Sequence, residues 1–385
     1  MNSKKPLKIC LVGSARSIHI QRWEAFLSSH GHEVHILTNF PSKVVKQRTW
    51  HLLNKEKYGV AAYLFSIFKF YYLIRNIRPD IIHFHYVGGP SIYSLVINHL
   101  NTPIIVSPWG NDVYLGSSIV RKMLIQKLFN SAVLIFTTSH DMSKHIQKFF
   151  NIDPTKIMTI SWGIDVKLFH PPSLNEKIKL REELNIPKSS FVVFSNRSMT
   201  PVYQVDLIVR AFLSIIEKRK DFFLLLLEGT ESAFNHKIIR YRRKIKEMIK
   251  NKENFIKIIK GFISPTIMSQ YLKASDVVFS IPLSDQRSTS VLEGLACCPI
   301  VILSSIPPYL ELQEEGYKVI ILREFTIDNV EEIIYLAKSL HPSTCKDWIQ
   351  DNYRIILERE NWEIQATKVE MEYYNCLEKY KSMRK

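Results

Sequence analysis

Residues 284–300 read SDQRSTSVLEGLACCPI, a polar loop that leads into a short apolar helix and then into a further apolar run. An apolar strand is predicted just before this stretch, at 277–279, and another at its end, at 300–303. A strand, a helix and a further strand in this order form a right-handed crossover in a parallel sheet. The stretch therefore predicts the centre of an α/β domain.

Apolar runs of the same character extend outward from this stretch through the whole chain. Strands buried on both faces of a parallel sheet are continuous apolar runs, and helical patterns separate most of these runs. The alternation predicts an α/β fold with two doubly wound, Rossmann-like sheets. The predicted strands lie at 8–12, 34–37, 81–84, 104–106 and 133–137 in the first half of the chain, and at 191–195, 223–227, 256–258, 277–279, 300–303 and 319–322 in the second.

A proline-bearing stretch at 165–190 separates the two halves. The length of 385 residues also suits two domains, at about 150 residues or more for each domain. We therefore expect an N-terminal Rossmann-like domain over 1–165, a C-terminal one over 166–360, and a C-terminal helix over 361–385 that packs back on the N-terminal domain. Because open α/β sheets bind ligands at the carboxyl ends of their strands, we expect the active site between the domains.

The cysteines give no sign of a disulfide framework or a zinc site. All five stand far apart or directly adjacent, without a CxxC pair, so we expect free thiols. The N-terminus enters a short apolar strand that is too brief for the core of a signal peptide. The apolar segment at 60–77 is interrupted by Lys69 and Arg75, which predicts a buried or interfacial helix. We expect a cytoplasmic protein.

Lysine and arginine number 52 against 36 aspartates and glutamates, which gives a formal net charge of +16. Such a charge favours anionic partners, namely nucleotide phosphates, acidic lipid or nucleic acid. Nucleic-acid binding rests on charge alone, so we expect no nucleic-acid partner. Two basic segments are candidates for peripheral contact with an anionic membrane surface. They are the amphipathic helix at 236–252, for which a solvated face is the favoured interpretation, and Lys43, Lys46, Arg48, Lys55 and Lys57.

The loop and helix start within 284–300 suit a phosphate ligand. Ser288, Thr289 and Ser290 are helix-capping candidates. A helix that begins there directs free backbone N–H groups and the positive end of its dipole toward a diphosphate. Arg287 adds a positive charge at the same place.

Two acids in the same stretch suit the sugar rings of a nucleotide sugar. Glu293 stands about one turn into the predicted helix, where a carboxylate is able to accept hydrogen bonds from ribose hydroxyls. Asp285 lies eight residues earlier, in the loop, where it is placed to meet the donor sugar. The stretch therefore predicts a nucleotide-sugar site, with an ordinary capped helix as the alternative.

This stretch resembles the E-x7-E region of the retaining GT-B glycosyltransferases of family four. Asp285 stands for the first glutamate, Glu293 is the second, and Cys298 stands where the family has a glycine. The resemblance covers nearly the whole chain and implies the GT-B fold, in which two Rossmann-like, doubly wound domains face a central cleft. Its further landmarks are the glycine-containing loop at 13–23, the GHEV strand at 31–34, and the segments 79–85, 108–112, 162–169 and 197–203.

In the C-terminal half the resemblance implies residues that bind the donor. Arg197 follows a predicted strand, so its guanidinium is placed to grip the donor diphosphate. The family's phosphate-binding lysine has no counterpart, because Tyr203 and Gln204 stand near that point, and Arg287 is the candidate substitute. Gly261 resembles the loop that offers backbone bonds to the nucleobase in relatives, with a plain strand-to-helix turn as the alternative.

In the N-terminal half the candidates lie on the acceptor side. Gly13 allows the first loop to approach donor or acceptor closely. His83 and His85 form an HxH at a strand end, where residues two apart share a face, with core or surface packing as the alternative. Two histidines alone make a poor metal site. Trp109 stands where the family often has a histidine, which leaves Asp112 as the nearest charged candidate for a catalytic residue.

These residues predict a glycosyltransferase of the hexosyltransferase type, and the family resemblance implies retention at the anomeric carbon. It would move a sugar from a UDP- or GDP-sugar to a saccharide or lipid-linked saccharide, in cell-surface polysaccharide or lipopolysaccharide synthesis. Asp285 would orient the donor sugar, and Arg197 with the helix start would stabilise charge on the departing diphosphate. The scheme requires no cofactor and no metal, and the sequence contains no DxD. The alternatives are a sugar-nucleotide epimerase and a nonenzymatic sugar-nucleotide-binding protein of the same architecture.

Overall fold

The structure is a computed structural model that describes residues 5–41, 50–53, 59–114, 118–229 and 235–382. It divides into two compact units, Met1–Ser161 with Ile364–Lys385 as the first and Trp162–Glu363 as the second. Each unit is an α/β domain with its own parallel sheet, which confirms the two predicted Rossmann-like sheets.

The first unit alternates strands with helices along the chain. Its described strands are β1 (Lys8–Val12), β2 (Glu33–Thr38), β3 (Trp50–Leu52), β4 (Ile81–His85), β5 (Ile104–Ser107), β6 (Leu134–Thr137) and β7 (Ile157–Thr159). The helices of this part are α1 (Ile18–Ser29), α2 (Gly59–Ile77), α3 (Asn111–Tyr114), α4 (Ile119–Ser131) and α5 (His140–Phe150).

The sheet of the first unit runs in the order β3-β2-β1-β4-β5-β6-β7 within the described ranges, and its neighbouring strands are parallel. The strand order reverses at β1, which pairs with both β2 and β4. Val12 at the end of β1 pairs with Leu37 of β2 and Phe84 of β4, so the carboxyl ends of the three strands lie level. Such a switch point opens a crevice for ligands.

The second unit follows the same plan. Its described strands are β8 (Phe191–Ser198), β9 (Phe222–Gly229), β10 (Ile256–Lys260), β11 (Val277–Ser280), β12 (Ile300–Ser304) and β13 (Ile320–Leu322). Its described helices are α6 (Leu174–Glu183), α7 (Val205–Lys218), α8 (His236–Met248), α9 (Pro265–Ala274), α10 (Thr289–Cys297), α11 (Pro307–Glu314), α12 (Ile327–Ser339) and α13 (Pro342–Arg359), and the last helix, α14 (Trp362–Ser382), returns the chain to the first unit.

The parallel sheet of the second unit runs in the order β10-β9-β8-β11-β12-β13 and reverses between β8 and β11. Successive side chains of a strand point to opposite faces, so each central strand contributes side chains to two hydrophobic cores. Val192 and Phe194 of β8 are buried in one core and Val193 is buried in the other. Helices cover both faces, as continuous apolar strands require.

The last helix, α14, is fixed to the first unit by polar contacts as well as by packing. The hydroxyl of Tyr373 lies 2.7 Å from His83 Nδ1, and both side chains are fully buried. Glu370 contacts His30 and His32, at 2.7 Å and 2.9 Å. These contacts complete the first unit with the C-terminal end of the chain.

The apolar segment predicted as a helix at 60–77 forms α2. Ile67, Phe70 and Ile74 are buried, whereas Phe65 is 78% and Phe68 74% exposed. No helix in the described part of the chain is long and apolar enough to cross a bilayer. The basic residues Lys43, Lys46, Arg48, Lys55 and Lys57, predicted to lie near a membrane, fall outside the described residues.

Candidate functional site

In the second unit, Arg197 stands near the carboxyl end of β8 with its side chain almost fully buried. Its Nη2 lies 2.7 Å from Asp285 Oδ2, and its Nη1 donates to Ser288 Oγ. The guanidinium carbon lies 4.2 Å from the centre of the Tyr203 ring. Burial alone would lower the pKa of Arg197, but the charge of Asp285 outweighs it and the pKa is raised. Arg197 therefore remains a fixed cation at the end of the central strand.

Asp285 is held in the loop after β11 by contacts to both of its oxygens. Oδ1 accepts a hydrogen bond of 2.9 Å from the backbone N–H of Gln286, and Oδ2 accepts one of 2.9 Å from the hydroxyl of Tyr309. Burial and the neighbouring Asp285 carboxylate raise the pKa of Tyr309, which keeps the hydroxyl a donor. The structure thus brings the predicted residues Arg197 and Asp285 together as a buried ion pair.

The helix predicted within 284–300 begins at Thr289 and forms α10, with Ser288 at its N-cap. The Ser288 hydroxyl makes no capping bond to its own helix and accepts from Arg197 instead. Asn196 donates to the carbonyl of Ser290 over 2.8 Å, which ties the start of α10 to β8. Glu293 follows one turn later and is partly exposed. The start of α10 therefore lies beside the Arg197 guanidinium.

Arg287 has a different environment from the one predicted. Its Nη1 and Nη2 donate to the two carboxylate oxygens of Glu315 over 2.7 Å and 2.6 Å, and Nη2 also donates to Glu360 over 2.5 Å. Burial lowers the pKa of Arg287, but Glu315 and Glu360 reverse the effect and raise it. Because two carboxylates already compensate its charge, Arg287 is a structural ion pair. This pairing favours a structural role over the predicted one as a substitute for the family's phosphate-binding lysine.

Gly261 follows β10 with a backbone φ of +72°, and no described atom lies within 4 Å of the place that a Cβ would occupy. The glycine is therefore required by backbone conformation and not by crowding. Gly229, at the end of β9, forms a bridge with Gly261 and has a φ of +80°. A Cβ on Gly229 would lie 2.6 Å from Ser198 Cβ, so the ends of three adjacent strands converge here.

In the first unit, a cavity of about 420 Å³ lies at the carboxyl ends of β1, β2 and β4. The predicted residues Gly13, His85 and Trp109 all line it, so the structure brings them together. A Cβ on Gly13 would lie 2.9 Å from Ile20 Cδ1 and 3.1 Å from the His85 carbonyl oxygen. Close packing of the loop against α1 and β4 is therefore sufficient to explain why a glycine stands at position 13, without a ligand.

His83 and His85 point to the same face, with ring centroids 4.0 Å apart, as their spacing predicts. His83 is fully buried, and its ring nitrogens contact the hydroxyls of Tyr373 at 2.7 Å and Ser107 at 2.8 Å. His85 lines the cavity and His83 does not, which favours the packing alternative for His83. Burial lowers the pKa of His83 well below its usual range and that of His85 to about 3, so both rings are neutral.

Asp112 accepts hydrogen bonds from two backbone N–H groups, which favours a positioning role over the predicted catalytic one. Its Oδ2 accepts a 2.6 Å hydrogen bond from the N–H of Val87, and its Oδ1 accepts one of 2.9 Å from the N–H of Trp109. The carboxylate thereby joins the loop after β4 to the loop after β5. Burial raises the pKa of Asp112 to about 6, against the lowering effect of these backbone bonds. Asp112 does not line the cavity.

Several residues of this cavity gave no sequence signal. Tyr86 follows His85 with a φ of 71°, a left-handed conformation that a large side chain adopts only when its surroundings impose it. Arg121 of α4 also lines the cavity, and its Nη2 lies close above Gly88. A glycine pair after a strand is a weak hint of close packing, but nothing near Arg121 in the sequence connects it to that strand end.

Two glycosyltransferase family profiles match separate parts of the chain. The family described as "Glycosyl transferase 4-like" matches residues 8–139, and the family described as "Glycosyl transferases group 1" matches residues 176–354. Together they account for most of the sequence. The chain therefore carries a 4-like glycosyltransferase region followed by a group 1 glycosyltransferase region.

Individual relatives of this glycosyltransferase are distant. A D-inositol 3-phosphate glycosyltransferase from Corynebacterium glutamicum is 22% identical over 183 residues, which are 45% of this chain and 44% of that protein. The match thus spans less than half of that curated relative.

Among the described residues, no group of three or more histidines, cysteines and acids is arranged to hold a metal ion.

Solved structures resemble the glycosyltransferase over almost its full length. A sucrose-phosphate synthase from Thermosynechococcus elongatus superposes with a TM-score of 0.80 at 16% identity, covering 96% of this chain and 98% of that one. A glycosyltransferase from Rickettsia africae gives 0.78 at 19% identity, covering 97% and 99%. Anabaena HepE in complex with UDP and glucose gives 0.78 at 14% identity, covering 96% and 100%. At these identities the likeness shows the GT-B fold.

Proposed function

We propose that this glycosyltransferase moves a sugar from a UDP- or GDP-sugar to a saccharide or lipid-linked saccharide, with retention at the anomeric carbon. One observation carries the proposal: the buried guanidinium of Arg197 lies beside Ser288 at the start of α10, at the carboxyl end of a central strand. A fixed cation next to a helix N-terminus is suited to a diphosphate.

In the proposed donor complex, the diphosphate contacts Arg197 and the first N–H groups of α10. Charge develops on the diphosphate as the glycosidic bond breaks, and these groups stabilise it without having to reorganise. Asp285 keeps Arg197 in place and orients the donor sugar, while Glu293 accepts hydrogen bonds from the ribose. Gly261 offers its backbone to the nucleobase.

Related structures support a nucleoside-diphosphate donor. HepE from Anabaena has been crystallised with UDP and with UDP-glucose, and a UDP-forming trehalose-phosphate synthase from Burkholderia xenovorans also superposes on this chain. UDP-glucose is accordingly the first donor to test. The acceptor is assigned to the cavity of the first unit, where neutral His85 exchanges a hydrogen bond with the attacking hydroxyl and Trp109 packs against the ring.

The proposed membrane contact rests on α2. Its exposed side includes Leu64, Phe65, Phe68 and Tyr72, all more than half exposed. A helix that shows aromatic side chains together with Lys69 and Arg75 suits the surface of an anionic bilayer. In contrast, α8 buries Arg242 and Ile245 and exposes mainly charged residues, which fits the solvated face predicted for 236–252. We place the enzyme at the membrane in cell-surface polysaccharide or lipopolysaccharide synthesis.

Sedimentation with phosphatidylglycerol vesicles tests the membrane contact. The double variant Phe65→Ser with Phe68→Ser is expected to lose most of the binding, whereas Leu336→Ser, which changes a residue of α12 that is 49% exposed, is expected to keep it. Equal binding by both variants would overturn the assignment to α2.

Thermal protection by a panel of UDP- and GDP-sugars tests the donor site. A specific rise in melting temperature is expected with one nucleotide series, and it should be lost in Arg197→Ala and in Glu293→Ala. Arg210→Ala serves as the control, since Arg210 forms an exposed pair with Asp206 on α7. Protection without turnover would favour the nonenzymatic binding protein, and conversion of the donor sugar to its epimer would favour the epimerase.

A further inference from the structure

We propose that the acceptor is an anionic saccharide, bearing a phosphate or carboxylate group, and that Arg121 with Arg16 binds this anion in the cavity of the first unit. The inference rests on the proposed function, because it takes the cavity to be the acceptor site. It names a class of substrate that the family resemblance leaves open.

The charge of the cavity comes from its arginines. The described lining residues include Arg16 and Arg121 but no aspartate or glutamate. The imidazoles beside the cavity do not add charge near neutral pH, because burial lowers the pKa of His85 to about 3 and that of His19 to about 4. The described lining of the cavity therefore carries positive charge and no acidic side chain.

Arg121 differs in this respect from the arginines buried elsewhere in the protein. Arg181, Arg197 and Arg287 each form an ion pair with a carboxylate. Within the described ranges Arg121 forms no ion pair, and its Nε is buried without a hydrogen-bond partner. An arginine that is partly buried without a counter-ion is costly, and an anionic ligand would remove that cost.

The position of Arg121 is nevertheless well defined. Its Nη2 lies above Gly88, where any Cβ would collide with it, and a Cβ there would also lie 2.6 Å from Tyr86 Cε1. The Tyr86 ring in turn packs edge-on against Trp109, with centroids 5.9 Å apart. The strained backbone of Tyr86, at a φ of 71°, thus contributes to a rigid cradle for the guanidinium. The Nε of Arg16 donates a 3.0 Å hydrogen bond to the Pro41 carbonyl.

The remaining lining suits a polyhydroxylated ring. The Oδ1 of Asn39 is buried without a hydrogen-bond partner among the described residues, although its Nδ2 donates to the Tyr93 hydroxyl over 3.1 Å. It is therefore an acceptor for a ligand hydroxyl. Trp109 and Tyr86 provide aromatic surface, and a volume of about 420 Å³ lies within the range of small-molecule sites. A ligand that offers an anionic group to Arg121 and a hydroxyl to Asn39 is an acidic sugar or polyol.

Isothermal titration with matched probes tests the inference. Glucose 6-phosphate and glucuronate are expected to bind at least about tenfold more tightly than glucose, a difference of about 1.4 kcal/mol. Arg121→Gln should abolish that preference, Arg121→Lys should restore part of it, and Lys122→Gln should preserve it. Lys122 is a suitable control because it lies next to Arg121 on α4 but contacts the Phe149 ring instead of lining the cavity.

The same titration distinguishes a free sugar phosphate from a lipid-borne phosphate as the source of the anion. A separate measurement distinguishes failure of the anion site from failure of the proposed function. Phosphatidylinositol in mixed micelles provides a lipid-borne phosphate, and tighter binding than to glucose 6-phosphate would identify the lipid-linked form. Equal affinity for charged and neutral sugars, absence of binding, or anion affinity unchanged in Arg121→Gln would overturn the inference. Donor protection measured in Arg121→Gln tests the proposed function separately, because that variant leaves the Arg197 site intact.

Discussion

Each unit holds an arginine near the carboxyl end of its sheet, but the two arginines differ in how their charge is compensated. In the second unit Arg197 is paired with Asp285, and Ser288 and Tyr203 also contact it. In the first unit Arg121 lies in an aromatic cavity with no ion pair to any described carboxylate. A paired cation is rigid before its ligand arrives, whereas an unpaired one leaves its charge for the ligand to neutralise. The proposed donor site thus holds its arginine by fixed contacts, whereas the proposed acceptor site leaves the charge of its arginine available to a ligand.

A second contrast lies within the second unit itself, between Arg197 and Arg287. Both are buried and both are paired with acids. Arg197 is near the end of a central strand beside the start of α10, whereas Arg287 binds Glu315 and Glu360 at the ends of α11 and α13. Location and partners, more than residue type, separate a proposed ligand-binding cation from a structural one.

The largest expected effect is that of Arg197→Ala on catalysis. Removing the cation that we propose stabilises the leaving diphosphate is expected to lower kcat by about 1000-fold, or about 4 kcal/mol. Steady-state kinetics with the donor found by thermal protection measure the loss. Arg210→Ala provides the matched control, because its exposed pair with Asp206 should contribute little. A loss below tenfold in Arg197→Ala would remove Arg197 from the proposed mechanism.

Arg287→Met is expected to act on stability and not on donor binding. The change leaves Glu360, which is 1% exposed, without its cation, and we expect a loss of about 3 kcal/mol in the free energy of unfolding. Denaturant titration measures this loss, and adding Glu360→Gln should recover part of it in a double-mutant cycle. A raised KM for the donor with unchanged stability would instead support the predicted role of Arg287 in donor binding.

Asp112→Asn sharpens the assignment of Asp112 as a positioning residue through pH. Because the folded pKa of about 6 lies above the usual value of 3.8, the buried carboxyl stabilises the fold most at low pH. That contribution disappears as the pH rises through about 6, by up to about 2–3 kcal/mol. The unfolding free energy of the wild type should therefore fall relative to the variant between pH 4 and pH 7. Parallel pH profiles for the two proteins would contradict the buried carboxyl.

The smallest expected effect separates Gly261 from Gly31. Both have positive φ angles, of 72° and 87°, and neither has a described atom within 4 Å of a Cβ position. Substitution by alanine should therefore destabilise each variant by about 1 kcal/mol. If the Gly261 loop contacts the nucleobase, Gly261→Ala should additionally weaken donor binding about threefold and Gly31→Ala should not. Equal donor affinities in both variants would favour the plain turn.

The fold was largely predictable because its central strands are continuous apolar runs. The predicted strand at 8–12 coincides with β1, and the helix predicted inside 284–300 forms α10. The edge strands β3 and β7 were not predicted, since each has three residues and most of them are only partly buried. Short, mixed edge strands carry too few apolar side chains to give a pattern.

The local structure of the candidate site was predictable where its residues are close in sequence. The loop with Asp285, Ser288 and Glu293 is one such stretch. The partners of Arg287 stand 28 and 73 residues away, so its structural pairing was not accessible to local reasoning. Arg121 likewise reaches the end of β4 only through the packing of α4, which a local pattern does not encode.

The most direct test of the account follows the first turnovers of a UDP- or GDP-sugar by proton NMR, with Arg197→Ala in parallel. We expect release of the nucleoside diphosphate and a product whose anomeric configuration is that of the donor, with both signals nearly absent in the variant. An inverted product would contradict retention. An intact donor after prolonged incubation with every acceptor class, anionic sugars included, would contradict glycosyl transfer itself.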